Sequence, residues 1–316
     1  MIGMHQSQAF QAFLNGRWVG PAEWNVSISD AGFTMGATVA ERIRTFGGRL
    51  FRLDAHLQRL FGSLRIVDVE LGYSADEIAA IADEVADRNR TQLAPSDDLG
   101  VGIFVTPGGC SPFVDGSDIG PTVCVHPYLL PFDSWADRFE TGQALVVSDV
   151  VQISPRSWPP ELKCRSRMHY FLADKRAQAV DPQSSAVLLD DEGFVMEAST
   201  ANVVIYRQSE GIVSPPRDRI LSGISLGVLT ELATQLGVPF RERAFRAEDL
   251  RQADEVMLTN TSFCVLPVVS VDGQAVGTGE PGPVYRRLLA AWSELVGLDI
   301  AAQARQFASQ MSKPGK

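Results

Sequence analysis

The chain has 316 residues, of which 45% are hydrophobic, and a formal net charge of -10. This length suffices for one large or two medium domains with buried cores. The acidic excess argues against nucleic acid as a partner, since phosphate-binding surfaces need clustered positive charge. No apolar run approaches the roughly 20 residues of a membrane span, and residues 1–6 lack signal-peptide features. We therefore expect no membrane association and a cytoplasmic location.

Elements at the start of the chain predict a small α+β domain over residues 1–127. Two short apolar runs around Asn15-Gly16 indicate a β-hairpin. Ser74 followed by Glu77 is typical of a helix capping box. Apolar residues at strand or helix spacing complete the domain. They predict strands at 39–46, 49–51, 100–106 and 122–125, and helices at 53–64 and 74–89.

Residues 128–138 are rich in Pro, Asp and bulky apolar residues without a sustained period, which predicts an interdomain linker. A larger α/β domain is predicted over residues 139–316. Its strands are expected at 144–147, 186–189, 202–206, 211–213 and 255–259, and its helices at 167–180, 225–236 and 284–296. The polar residues from about 306 onward are expected to be frayed.

Cysteine and histidine patterns indicate neither a disulfide framework nor a metal centre. The cysteines lack Cys-x-x-Cys spacing, and no histidines stand at metal-ligand spacing, so we expect reduced thiols and no catalytic metal. The residues concerned are Cys110, Cys124, Cys164, Cys264, His5, His56, His126 and His169.

Lysine is rare: four lysines stand among 28 basic residues. Lys163 ends a proline-broken loop just before the helix predicted at 167–180, with Ser166 as the expected N-cap. A lysine whose pKa is lowered by burial and nearby arginines can form a Schiff base with a carbonyl. A general preference for arginine would equally leave a few surface lysines without chemical function.

Three further stretches have the residues that a phosphorylated aromatic cofactor requires. Residues 220–225 place a glycine turn before a helix, which is either an anion site or an ordinary cap. Residues 258–263 end a strand in consecutive hydroxyls, which suit a turn or a second wall of a phosphate site. Glu197 lies in a hydroxyl-rich turn, where a solvated glutamate is the ordinary expectation.

Together these motifs resemble the class IV, or fold-type IV, pyridoxal-phosphate aminotransferases. This family includes branched-chain and D-amino-acid aminotransferases and aminodeoxychorismate lyase, and the resemblance runs from about Phe13 to Leu298. The matching segments are 30–33 with Gly36, 41–44, 51–57, Lys163, 197–202, 220–225, 253–256 and 267–273.

The resemblance implies a two-domain homodimer with pyridoxal 5'-phosphate bound between the domains, and amino acids and keto acids as substrates. It implies that Lys163 binds the cofactor covalently and moves the proton at the substrate Cα. Glu197 would pair with the pyridine nitrogen. The 5'-phosphate would be held by Arg52 and by a set of neighbouring groups. Arginine suits this role because its planar guanidinium stays charged and can bind phosphate oxygens with two donors. This set comprises Gly223, the N–H groups of Ile224 and Ser225, and the hydroxyls of Thr261 and Ser262.

Substrate choice does not follow from the resemblance, because the family's specificity positions differ here. They hold Met35, Ala40, Pro107 and Met168. Arg42 and Arg167 are candidates for binding a substrate carboxylate, with surface ion pairing as the alternative. The sequence leaves open an aminotransferase, a lyase of the aminodeoxychorismate type, to which Arg167 points, and a non-catalytic binding protein.

Overall fold

The computed structural model describes residues 10–109 and 120–311, with side chains through residue 308. It divides into two compact units: the first runs up to Leu130 and includes Lys163–Ser166, and the second holds Pro131–Leu162 and the chain from Arg167 onward. Cys110 and His5 lie outside the described residues. The mixed α/β architecture agrees with the predicted fold class, whereas the domain limits 1–127, 128–138 and 139–316 stay a prediction.

A six-stranded antiparallel sheet in the order β2-β1-β6-β5-β3-β4 forms the first unit. Its strands are β1 (Ala12–Leu14), β2 (Arg17–Val19), β3 (Val39–Phe46), β4 (Arg49–Leu50), β5 (Leu99–Thr106) and β6 (Thr122–Leu129). Its helices are α1 (Ala31–Thr34), α2 (Leu53–Ile66) and α3 (Ala75–Arg90). Helices α2 and α3 pack on the sheet, through β3 and through β5 and β6 respectively.

Local signals in this unit are confirmed. Asn15 and Gly16 have positive φ angles of 46° and 83°, as the tight β1–β2 turn requires. Ser74 and Glu77 form the capping box at the start of α3: the Glu77 N–H donates to Ser74 Oγ at 3.2 Å, and the Ser74 N–H donates to Glu77 Oε2 at 2.7 Å.

The segment Lys163–Ser166 is an extra edge of the first unit's sheet. The Ala40 N–H donates to the Lys163 carbonyl at 3.0 Å, and the Arg165 N–H donates to the Thr38 carbonyl at 2.8 Å. Between these bonds Cys164 bridges to Val39 in antiparallel fashion. The lysine singled out by the sequence is therefore held by main-chain hydrogen bonds against the start of β3.

The second unit contains a nine-stranded mixed sheet in the order β12-β11-β10-β13-β14-β7-β8-β9, with β15 paired to β14. Because β9 also pairs with β10, the strands from β10 to β9 close into a ring. The strands are β7 (Gln143–Val147), β8 (Ser184–Leu189), β9 (Val195–Ala198), β10 (Ala201–Arg207), β11 (Gly211–Ser214), β12 (Phe240–Glu242), β13 (Glu255–Asn260), β14 (Cys264–Val271) and β15 (Gln274–Ala275). The helices are α4 (Arg138–Thr141), α5 (Met168–Val180), α6 (Ile224–Gln235), α7 (Ala247–Arg251), α8 (Pro283–Val296) and α9 (Ile300–Met311).

Two local predictions are wrong. Ser166 does not cap α5: Arg167 occupies the N-cap position without a side-chain cap, and Ser166 Oγ instead donates to the Gly36 carbonyl at 2.7 Å. Residues 306–311 are not frayed, because α9 continues to Met311, and residues 312–316 lie outside the described residues. Phe307 explains this, since its ring is buried 5.9 Å from the Phe132 ring.

Candidate active site

Helix α2 presents a polar stripe toward the lysine segment. Arg52, His56, Arg59 and Ser63 recur at the spacing that places side chains on one helical face. At one end of the stripe, Ser63 Oγ accepts a hydrogen bond from the Lys163 N–H at 3.1 Å. The stripe therefore runs from Arg52, which precedes the helix, to the main chain of the lysine.

A buried ionic cluster occupies the middle of this stripe. The Glu41 carboxylate of β3 is 0% exposed and accepts from Arg59 Nε at 2.7 Å and Arg59 Nη2 at 2.8 Å. Its Oε2 also lies 2.8 Å from His56 Nδ1. Burial by itself would raise the pKa of Glu41, but the charge and hydrogen bonds of Arg59, with those of His56, hold it far below its usual range. Glu41 is therefore a carboxylate fixed by two basic side chains.

His56 links the cluster electrostatically to Lys163. Burial lowers the pKa of His56, Glu41 partly opposes this, and the charges of Arg59 and Lys163 lower it further. His56 is therefore neutral near pH 7, and its Nδ1–H donates to Glu41. The arginine expected to hold phosphate, Arg52, stands at the N-cap of α2 in a left-handed conformation with φ 56°, and its guanidinium lies 5.7 Å from the Phe51 ring.

In the second unit, Glu197 is a buried carboxylate held by neutral donors. It lies in β9 with 8% exposure, so it is not the solvated turn glutamate that was the ordinary expectation. Gln152 Nε2 and the Tyr170 hydroxyl both donate to Glu197 Oε1 at 2.7 Å. Burial raises the pKa of Tyr170 well above its usual value, and the Glu197 charge adds to this effect. Tyr170 therefore stays a hydrogen-bond donor.

The turn before α6 admits only glycine at residue 223. An added Cβ there would stand 2.0 Å from Asn202 Oδ1, and Asn202 is itself fixed because its Nδ2 donates to the Leu221 carbonyl at 2.9 Å. Gly223 is the N-cap and offers no side-chain hydrogen bond, so the first N–H groups of α6, at Ile224 and Ser225, are not capped by it. The positive end of the helix is thus arranged for an anion.

The hydroxyl-rich end of β13 lies beside this turn. Thr259 pairs directly with Asn202 across the sheet, and Thr259 Oγ1 is buried without a hydrogen-bond partner among the described residues. At the last residue of the strand, Asn260 Oδ1 accepts from the Ser262 N–H at 2.9 Å, so Thr261 and Ser262 lie in a tight turn. Asn202 therefore contacts both stretches predicted to bind phosphate: it bonds to Leu221 in residues 220–225 and pairs with Thr259 in residues 258–263.

The two carboxylate-binding candidates have different surroundings. Arg167 donates to the Ser199 carbonyl, and its guanidinium lies 4.5 Å from the Tyr170 ring centre. Arg42, in the first unit, is exposed, and its guanidinium lies 4.2 Å from the Tyr128 ring centre. Neither forms an ion pair with another residue that the structure describes, so the ordinary expectation of surface ion pairing does not hold within that part of the chain.

Sequence reasoning missed the supporting groups Glu41, Arg59, Gln152 and Tyr170. A signal existed for Arg59, because it follows His56 by about one turn on the polar stripe of α2. Gln152 gave no signal, since it lies in an irregular segment 45 residues before Glu197.

Within residues 10–109 and 120–311, no cluster of three or more His, Cys, Asp or Glu side chains can hold a metal ion. In the same residues no helix is long and apolar enough for a membrane span.

Comparison with known proteins identifies the class. The family model described as amino-transferase class IV matches residues 38–271, and the chain belongs to this family. It is 30% identical to a D-alanine aminotransferase of Bacillus licheniformis over 281 residues, which is 89% of this chain and 95% of the relative. A D-alanine aminotransferase of Staphylococcus aureus is 29% identical over 283 residues, 87% of this chain and 94% of the relative.

Solved structures agree with this assignment. The branched-chain amino acid aminotransferase of Escherichia coli superimposes with a TM-score of 0.83 at 25% identity, covering 92% of this chain and 95% of that chain. A T.th. branched-chain amino acid aminotransferase with pyridoxamine 5'-phosphate gives a TM-score of 0.81 at 24% identity, with the same coverage, and supports the fold. The predicted family, aminotransferase activity and pyridoxal-phosphate cofactor are thereby confirmed.

The residues described above fit this cofactor. Among the described residues, the start of α6 without a side-chain cap and the Thr259 hydroxyl without a partner suit a phosphate group. The Glu197 carboxylate, held by Gln152 and Tyr170, suits a protonated ring nitrogen. The individual roles of the site residues stay predictions: those of Lys163, Arg52, Glu197, Gly223, Ile224, Ser225, Thr261, Ser262, Arg42 and Arg167.

Proposed function

We propose that the chain transfers the amino group of a D-amino acid to a 2-keto acid, with Lys163 as the catalytic base. The stereochemistry is supported by the similarity to D-alanine aminotransferases over most of the chain. The buried Glu197 with its two donors is the observation that carries the chemistry, because Gln152 and Tyr170 fix a carboxylate that can pair with a protonated ring nitrogen.

When bound, pyridoxal phosphate supplies a carbonyl that condenses with amines and a ring that accepts the electron pair released at the substrate Cα. Lys163 Nζ would remove the proton from the substrate Cα and deliver it to C4′ of the cofactor. The Glu197 carboxylate would keep the proton on the ring nitrogen, and Tyr170 and Gln152 would hold that carboxylate in place. The N–H groups of Ile224 and Ser225 and the hydroxyls of Thr261 and Ser262 would bind phosphate.

We propose Arg59, besides Arg52, as a candidate for the arginine that binds the phosphate. Arg59 lies one turn, about 6 Å along the helix, from Ser63, which binds the Lys163 main chain. Arg52 lies 11 positions before Ser63, or about 16 Å along the same axis. Replacing each arginine with Met and titrating pyridoxal phosphate by visible absorbance distinguishes them. Arg59→Met should lower the affinity for pyridoxal phosphate by about 10-fold or more. A larger loss in Arg52→Met would identify Arg52 as the phosphate-binding arginine.

A visible spectrum before and after addition of D- and L-amino acid pools tests the function. The absorption of the lysine-bound cofactor should shift with the D pool and with release of an equal amount of keto acid. Lys163→Ala should abolish the starting absorption and turnover. Lys175→Ala is the matched control, because Lys175 is the exposed lysine of α5 and should behave as wild type. A yellow, active Lys163→Ala protein would contradict the mechanism.

The lyase alternative has its own test. Arg167 is held by the Ser199 carbonyl and the Tyr170 ring, next to the partners of Glu197. Release of pyruvate from aminodeoxychorismate without a keto acid, combined with no response to either amino acid pool, would favour the lyase. Exchange with the D pool and no pyruvate release would favour the aminotransferase.

We propose further that the protein is a homodimer. Apolar side chains are exposed along one segment of the first unit: Trp24, Val26, Ile28, Phe33 and Met35. Ile28 and Phe33 are 80% and 74% exposed, an unusual density of apolar surface for an uncovered segment. Light scattering should give twice the chain mass, and Phe33→Asp should lower it, whereas Val180→Asp on α5 should not. The cytoplasmic location stays a prediction from sequence.

A further inference from the structure

Asn260, the last residue of β13, closes the turn into β14 with its side chain. Its Oδ1 accepts hydrogen bonds from the Ser262 N–H and from the Phe263 N–H, both at 2.9 Å. Because Asn260 pairs with Cys264 across the hairpin, the turn consists of Thr261, Ser262 and Phe263. One side-chain oxygen therefore binds two of the three main-chain N–H groups of the turn.

The turn ends in a backbone conformation that its sequence does not favour. Cys264 has a φ angle of 69°, in the left-handed region. Three-residue hairpin loops commonly end in such a residue, and glycine is the usual choice because it has no Cβ. Residues 260–264 contain no glycine. The hydrogen bonds of Asn260 therefore help to hold a conformation that the local backbone would otherwise avoid.

The same side chain is anchored to a second turn of the sheet. Asn260 Nδ2 donates to the Thr200 carbonyl at 3.3 Å. Thr200 lies in the turn between β9, which contains Glu197, and β10. An amide oxygen has two lone pairs and an amide nitrogen two N–H groups, so Asn260 uses both lone pairs in one turn and a donor in the other. It thus connects the turn after Glu197 to the turn that contains Thr261 and Ser262.

The side chain of Asn260 is directed away from the predicted cofactor groups. Glu197 pairs with Asn202, and Asn202 pairs with Thr259, so these three side chains share one face of the sheet. Side chains alternate along a strand, so Asn260, which follows Thr259, is directed to the opposite face. Asn260 is therefore placed to hold the turn that carries phosphate donors and not to bind phosphate itself.

A buried aromatic contact fixes the other end of the turn. The Phe263 side chain is buried, and its ring centre lies 6.2 Å from that of Trp135 in an edge-to-face arrangement. Thr261 and Ser262, between the two anchored ends, are half-buried. Groups that are fixed before a ligand arrives lose less conformational freedom on binding, which raises the affinity.

We propose that Asn260 is a positioning residue that holds Thr261 and Ser262 in the conformation that binds the phosphate of the cofactor. The inference rests on the proposed function, in which these two residues bind phosphate. Asn260 acts through the turn and touches neither cofactor nor substrate. Without its side-chain oxygen, the Ser262 and Phe263 N–H groups lose their common acceptor, and phosphate binding then has to order the turn.

Visible titration of the full-length, cofactor-stripped protein with pyridoxal phosphate and with pyridoxal tests the proposal. The two probes have the same ring and aldehyde, and only the first carries a phosphate. Asn260→Ala should weaken the binding of pyridoxal phosphate by about 10-fold or more and that of pyridoxal by less than about 2-fold. Asn260→Ser should lie between Asn260→Ala and wild type, because a serine hydroxyl accepts the same turn hydrogen bonds more weakly.

Asp181→Ala is the matched control for loss of a turn hydrogen bond. Asp181 Oδ1 accepts from the Gln183 N–H at 2.9 Å in the same unit. This variant should bind both probes as wild type does, even where urea unfolding shows a loss of stability similar to that of Asn260→Ala. Unchanged affinity of Asn260→Ala for pyridoxal phosphate overturns the proposal. An equal loss for both probes also overturns it, because Asn260 then does not act through the phosphate.

Failure of the proposed function gives a different pattern of results. A wild-type protein that binds both probes equally overturns the inference together with the phosphate role of Thr261 and Ser262. Absence of keto acid release from either amino acid pool overturns the aminotransferase function by itself, because the titrations with the two probes need no amino acid.

Discussion

Neutralising Glu41 tests whether the buried cluster beside Lys163 is held together by charge. Glu41→Gln keeps the size of the side chain but leaves Arg59, which is 11% exposed, without its carboxylate partner. Three hydrogen bonds of 2.7 to 2.8 Å converge on the two carboxylate oxygens, and the glutamine amide meets donors where an acceptor stood. Removing one partner of a buried pair costs about 3–5 kcal/mol, so the free energy of unfolding should fall by that amount.

Urea unfolding followed by tryptophan fluorescence measures this loss. The control is Glu84→Gln, which removes an exposed pair with Arg88 on α3 and should change the free energy of unfolding by less than about 0.5 kcal/mol. The double variant Glu41→Gln with Arg59→Met should recover part of the loss, because no buried charge is then left alone. A loss below about 1 kcal/mol in Glu41→Gln would refute the reasoning.

The same carboxylate predicts part of the acid sensitivity. Because the folded-state pKa of Glu41 lies below its ordinary value of 4.5, its contribution is present above about pH 4.5 and is lost as the pH falls toward the folded value. Wild type should therefore lose more stability than Glu41→Gln below pH 4.5.

Three further outcomes are expected. Burial, aided by the Arg167 charge, lowers the pKa of His169 to about 4. As the pH falls, the unfolded chain binds this proton first, so the free energy of unfolding should decrease from pH 6.5 to about 4. The pH dependence of the urea midpoint should be weaker in His169→Gln. Tyr170→Phe removes one donor to Glu197 and should slow the half-reaction by about 10-fold, measured by stopped-flow absorbance; an unchanged rate would remove Tyr170 from the site. Gly223→Ala forces a Cβ against the Asn202 side chain and should weaken cofactor affinity by about 10-fold or more in a visible titration.

Local chemistry was readable from the sequence where one or two residues decide the conformation. The Asn15-Gly16 turn and the Ser74 cap are of this kind, since each acts within a few positions. The error at Ser166 has the opposite cause. Its hydroxyl donates to the distant Gly36 carbonyl, and α5 begins one residue later than predicted, with Arg167 at the N-cap. Short-range preference does not reveal a long-range acceptor.

The site divides in the same way. Lys163 and Glu197 could be singled out because a rare residue type and a family motif mark them. Gln152 became visible only when the fold brought it to the Glu197 carboxylate. Strand β14 was missed because its apolar run, Cys264–Val271, contains Pro267, which argues against a central strand. In the folded sheet Pro267 pairs with Met257 of β13, so the strand forms although proline donates no hydrogen bond.

The edge position of Lys163–Ser166 limits how the chain can be divided. A fragment ending at Leu130 would contain β1 to β6 but would leave the main-chain groups of Thr38 and Ala40 without the partners that the later segment provides. Such an open strand edge is a template for self-association. Expressed alone, the amino-terminal fragment should aggregate, and a peptide spanning the lysine segment, supplied in trans, should suppress it.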